Sequence, residues 1–114
     1  MTEDAHAALM SDRARVLDRL AALERDFASS VEAADHANTD DEHDPEGATL
    51  AFERQHLAAH IGHARDQLRE INAALSRLDS GSYGICEQCG KQIPAERLAA
   101  RPATTTCVEC AGRA

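Results

Sequence analysis

Leu57-Ala-Ala-His-Ile61-Gly-His-Ala64-Arg-Asp-Gln-Leu68-Arg-Glu-Ile71-Asn-Ala-Ala-Leu75-Ser-Arg-Leu78 places its apolar residues at steps of four and three without a fault. That spacing returns each apolar side chain to one stripe of an α-helix, the seam of a coiled coil. Leu50, one heptad upstream, extends the stripe. Asp44-Pro45 has the chemistry of a helix start, because a first-turn proline lacks only an N–H that would be unpaired there. Asp79-Ser80-Gly81 has that of a stop, since glycine takes the left-handed cap conformation readily. A helix is therefore expected over about residues 45–80. Leu9, Val16, Leu20, Leu23, Phe27, Ser30 and Ala34 repeat the heptad pattern and predict a first helix from about Asp4 to about Ala34. Between the two lies Asp35-His-Ala-Asn-Thr-Asp-Asp-Glu-His-Asp44, a turn composition without a large apolar residue. Two helices joined this way pack antiparallel, and at 1.5 Å per residue each forms a rod of roughly 50 Å.

The remaining third of the chain has a different logic. Its four cysteines form two pairs, Cys86-Glu-Gln-Cys89 and Cys107-Val-Glu-Cys110, separated by the 17 residues Gly90 to Thr106. Two cysteines three apart can aim both sulfurs at one ion, and a second pair completes a tetrahedron, so the pattern reads as a four-thiolate site for one structural zinc. Iron suits the same ligands. Disulfides would require an oxidising compartment, but the acidic start Met1-Thr-Glu-Asp is followed by no apolar signal region, so a reduced, cytoplasmic setting is expected. The expected fold is all-α: a long antiparallel two-helix coiled-coil hairpin over residues 1–80 with an acidic tip at about 35–47, followed by a small C-terminal four-cysteine zinc finger over 81–114.

Composition narrows the function. Only 3% of the 114 residues are aromatic, too few for a bulky core, which favours an extended helical body plus a metal-stapled module. No apolar run approaches the length of a membrane span, so no membrane partner is expected. The net charge of -8 is concentrated at the front: residues 1–47 hold 13 acids and 4 bases, whereas residues 81–114 hold 3 acids and 4 bases. Seven acids and no Lys or Arg fall between Glu32 and Glu46, a stretch that a phosphate backbone repels. Direct sequence-specific DNA binding is not expected, although the spacing of the cysteine pairs also occurs in DNA-binding fingers. His56, His60 and His63 share one side of the second helix and read as a solvated face, because the glutamate beside the first histidine of a zinc-protease helix is missing. No phosphate loop or nucleophile elbow is present, and no enzyme class is indicated.

Ser82-Tyr83-Gly84-Ile85-Cys86-Glu87-Gln88-Cys89-Gly90, then Ile93-Pro94, Glu96-Arg97-Leu98, Arg101-Pro102 and Cys107-Val108-Glu109-Cys110, resemble the zinc finger of the DksA/TraR family of RNA-polymerase-binding regulators. A helical hairpin with an acidic tip precedes the finger in that family too. The resemblance implies a non-enzymatic transcription regulator whose coiled coil enters the secondary channel of RNA polymerase, with tip acids approaching the catalytic centre. Carried onto this chain, the partner-binding tip comprises Asp40, Asp41, Glu42, His43, Asp44, Glu46 and Ala48. Where the family pattern reads Asp-x-x-Asp-x-Ala, this chain has His43-x-x-Glu46-x-Ala48, with Asp44 adjacent to the lost aspartate. A monomer is expected. The competing readings are a DNA-binding finger and a coiled-coil adaptor for some other protein.

Overall fold

The computed structural model describes residues 2–37 and 45–113. Four helices follow one another: α1 (Thr2–Ala37), α2 (Pro45–Ser80), α3 (Ala95–Ala100) and α4 (Val108–Arg113). One isolated antiparallel bridge, between Ile85 and Gln92, is the only pairing of extended backbone among the described residues. The all-α expectation holds. α2 begins at the proline, as the start chemistry requires. α1 runs to Ala37, three residues past the expected end, because Asp35, His36 and Ala37 include neither glycine nor proline to stop it. At its other end Glu3 and Asp4 occupy the first turn, where carboxylates favour the helix dipole.

The chain divides into two compact units, Val16–Asp66 and the pair of segments Met1–Arg15 and Gln67–Ala114. Within Val16–Asp66, burial follows the heptad. Ile61, Ala64 and Ser30 are buried, and Val16, Leu20, Leu23, Phe27, Leu50 and Leu57 are half-buried. Leu17 and Phe52 lie off the seam and are exposed. Arg65 Nη2 reaches Glu24 Oε1 at 3.4 Å, while Asp26 and Ser30 share a cleft with Leu50 and Leu57. As α1 runs forward, α2 runs back, so the helices pair antiparallel. The Arg65–Glu24 pair is solvated and contributes little; the apolar stripe holds the pair together.

In the other unit Leu9 is fully buried, as are Ala74 and, nearly, Ile71, and Arg13 Nε donates to Asn72 Oδ1 at 3.0 Å. The end of α2 then directs the chain into the cysteine segment. Gly81 adopts φ +81°, and two bonds close the helix: Gly81 N donates to Leu78 O at 3.3 Å and Ser82 N donates to Arg77 O at 2.9 Å. This is the paired arrangement in which a left-handed glycine satisfies two orphan carbonyls of the last turn. No helix among the described residues is long and apolar enough to cross a membrane.

Candidate metal centre

A short hairpin presents the first cysteine pair. Cys86 N donates to Lys91 O at 2.9 Å, and Gly90 N donates back to Cys86 O at 3.0 Å. Gly90 sits at φ +74°, which closes the turn on the residue after Cys89. At the hairpin's start Gly84 has φ +84°, and its carbonyl accepts from Ile93 N at 2.7 Å. A side chain at Gly84 would meet Leu98 Cδ1 at 3.4 Å, an ordinary contact, so it is the left-handed backbone angle that selects glycine here.

The second pair comes from the other end of the module. Cys107 precedes α4 and Cys110 lies within it, and Ala111 N donates to Cys107 O at 2.9 Å to close that turn. Glu87 N donates to Thr105 O at 2.9 Å, fastening the first pair's turn to the segment that leads into Cys107. The four Sγ atoms lie within 4.8 Å of one another, and Cys89 Sγ and Cys107 Sγ are 3.8 Å apart. Tetrahedral Zn–S bonds of about 2.3 Å require edges of about 3.8 Å. All four cysteines are free, so the disulfide alternative is not realised. Among the described residues these four are the one group of metal-ligating side chains drawn together.

Hydrogen bonding sets the sulfurs apart in charge. Backbone N–H groups of Cys89 and Cys107 point at Cys86 and pull its thiol down to about 6, whereas bonds with Cys107 and Cys86 push Cys110 up to about 12. The cluster thus gathers a thiolate and holds a proton among neighbouring sulfurs. A divalent cation replaces that proton and relieves the crowding, as thiolate sites require.

Around the sulfurs a small core forms from Cys86, Ile93 and Cys110, with Leu98 and Cys107 packed against it. So few buried groups need polar staples. From α3, Arg97 Nε donates to Thr106 O at 2.9 Å and its Nη2 to Thr104 Oγ1 at 3.3 Å, holding the residues just before Cys107. Tyr83 Oη donates to Pro102 O at 2.8 Å, and burial raises the phenol's pKa, partly offset by the charge of Arg77. Arg77 itself donates to Thr104 O at 3.5 Å and approaches Glu87 at 4.0 Å. Sequence patterning does not show this network: its signals, single Arg, Tyr and Thr residues, have no period to detect.

The other expected site residues fare differently. Asp40, Asp41, Glu42, His43 and Asp44 lie outside the described residues, as does the side chain of Glu46; Ala48 is exposed in α2. His56, His60 and His63 are all exposed, with 6.4 Å between the first two ring centroids.

Residues 81–114 match the family model described as the prokaryotic dksA/traR C4-type zinc finger. Residues 81–114 are thereby a C4-type zinc finger of the dksA/traR kind. A C4-type finger with four clustered cysteines takes one zinc ion. Over 69 residues the chain is 45% identical to the uncharacterized protein YteA of Bacillus subtilis, an alignment covering 60% of this chain and 29% of that protein. It is 39% identical over 46 residues to the RNA polymerase-binding transcription factor DksA of Haemophilus influenzae, covering 40% of this chain and 32% of the relative. The chain spans about a third of the length of these curated relatives. Among solved structures, transcription factor DksA2 from Pseudomonas aeruginosa superposes with a TM-score of 0.81 at 23% identity, over 98% of this chain and 81% of that one. The chain shares its fold, a helical hairpin followed by a four-cysteine module, with that structure. The transcription factors of this family are non-enzymatic.

Proposed function

We propose that this protein binds RNA polymerase as a non-enzymatic transcription regulator and that the segment joining α1 to α2 enters the enzyme's secondary channel. The observation that carries the reading is the finger match over residues 81–114, seated on a hairpin fold shared with DksA2. Cys86, Cys89, Cys107 and Cys110 are the zinc ligands in this reading. Zinc supplies no catalysis; it ties two chain segments that hydrogen bonds alone hold loosely. Asp40, Asp41, Glu42, His43, Asp44, Glu46 and Ala48 form the working tip in this reading. Carboxylates brought near a polymerase active centre would compete for or reposition its metal ions, since hard cations prefer oxygen ligands. The protein works in the cytoplasm as a monomer, and its acidic first half keeps it off duplex DNA.

The test is a pull-down of core RNA polymerase with the zinc-loaded protein, paired with in vitro transcription. Binding by the parent is expected, and a variant combining Asp41→Asn, Glu42→Gln, Asp44→Asn and Glu46→Gln should lose the transcriptional effect. Failure of the parent to bind overturns the reading. An unchanged transcriptional effect in the variant removes the tip from the mechanism.

A further inference from the structure

Arg77 serves the end of α2 with its backbone and the cysteine module with its side chain. Its carbonyl accepts from Ser82 N at 2.9 Å and from Ser80 Oγ at 3.2 Å, bonds that finish the helix. Its side chain is only 16% exposed, with Nη2 donating to Thr104 O at 3.5 Å and Nη1 lying 4.0 Å from Glu87 Oε1. A cation so covered needs partners, because taking its charge out of water is costly.

Those two partners belong to different halves of the metal site. Glu87 follows Cys86 inside the first cysteine pair, whereas Thr104 stands three residues before Cys107, in the segment that Arg97 holds through Thr104 Oγ1 and Thr106 O. The halves meet where Glu87 N donates to Thr105 O. One guanidinium therefore spans the junction between them. The core around the sulfurs is small, so this junction is ordered by the shared ion more than by apolar burial.

We infer that Arg77 is a positioning residue that couples zinc occupancy of the finger to the order of the last turn of α2. The inference rests on the reading of the four cysteines as zinc ligands and not on polymerase binding. In the zinc-bound finger Glu87 and Thr104 stay side by side, and Arg77, held by both, keeps its carbonyl in place for Ser80 and Ser82. In the metal-free finger the partners separate, the guanidinium returns to water and the helix end frays. Coupling of this kind is reciprocal: the free energy that links zinc to the helix end also links Arg77 to zinc binding. Lysine cannot replace it, since a single ammonium lacks the two terminal nitrogens that serve carbonyl and carboxylate together.

Amide hydrogen exchange of the full-length protein, zinc-loaded and chelated, tests the inference, with zinc affinity measured against a competing chromophoric chelator. In the parent, chelation should speed exchange at Gly81 and Ser82 by about tenfold and leave Val16–Asp66 unchanged. In Arg77→Gln those two amides should exchange fast in both states, and zinc should bind about fivefold more weakly. Arg77→Lys should behave like Arg77→Gln. Glu87→Gln, at an exposed position that leaves the fold intact, should lose a smaller share of zinc affinity because the carbonyl contact remains. Zinc affinity equal in parent and Arg77→Gln, parent amides indifferent to zinc, or an Arg77→Lys variant indistinguishable from the parent overturns the inference. So does an Arg77→Gln effect on exchange that is the same factor with and without zinc, the mark of a merely structural role. A parent that binds no zinc overturns the ligand reading with it; a parent that binds zinc with an indifferent helix end overturns the coupling alone.

Discussion

The seam unit, Val16–Asp66, and the cysteine module, residues 81–114, reach order by opposite routes. In the first, Ile61 and Ala64 are buried among half-buried neighbours, and each heptad adds a similar small contribution. Loss of one contact weakens such a structure by degrees. In the second, the buried core is three side chains, two of them cysteines, so little apolar burial remains once the metal is discounted. Order there depends on a single bond set. The difference teaches that one chain can combine graded and conditional stability, and that each region fails under its own stress.

Removing zinc should give the largest effect and the cleanest break between the two. A chelator, or Cys86→Ser, should remove on the order of 10 kcal/mol of binding free energy from the module alone. Finger amide signals should collapse while most far-ultraviolet helical signal persists. Retention of finger structure in the metal-free protein would contradict the conditional half of the comparison. Acid should act the same way, because protons compete with zinc for sulfur. In the metal-free cluster the Cys86 thiolate is favoured above the ordinary thiol value, and that contribution disappears as pH falls through about 6. The raised thiol of Cys110 works in the opposite sense, favouring the protonated cluster until pH climbs toward about 12. Zinc release measured with a chromophoric chelator should therefore increase steadily on acidification.

Ile61→Ala attacks the other side. Ile61 is 8% exposed in the seam, and such truncations cost about 2–5 kcal/mol. Helix melting should shift downward while zinc content measured by atomic emission stays at one per chain. A joint loss of zinc and helicity would show that the two regions are not independent.

A smaller effect belongs to Gly84. Its φ of +84° makes Gly84→Ala destabilising by about 1–2 kcal/mol within the module. Faster zinc transfer to a competing chelator, with unchanged helix melting, is the expected signature. Equal transfer rates in parent and variant would show that this turn does not control the metal site.

How far the sequence carried these results depends on periodicity. The stripe from Leu57 to Leu78 predicts α2 because seven apolar residues agree on one face, and Pro45 and Gly81 mark its ends by backbone chemistry. The cysteine cluster was legible because ligand geometry fixes local spacing. The six-residue helices α3 and α4 were not, since fewer than two turns carry no period, and their ends depend on tertiary bonds such as Arg97 to Thr106. Ser30 falls between these cases. Its register was readable, but its missing partner was not, because hydrogen bonding is decided by surroundings that one sequence does not display.

Ser30→Ala should produce the smallest effect and the only gain. Alanine removes the buried unpaired hydroxyl and has the better helix propensity, so the hairpin should become more stable by about 1 kcal/mol. A rise in the denaturant midpoint at constant slope would report it. Destabilisation instead would mean that the hydroxyl holds a bond in solution, and the orphan would vanish from the comparison. The predicted gain matters because a graded seam tolerates such a defect: the loss is spread over a long pair of helices, where a module with three buried side chains would have no margin for it.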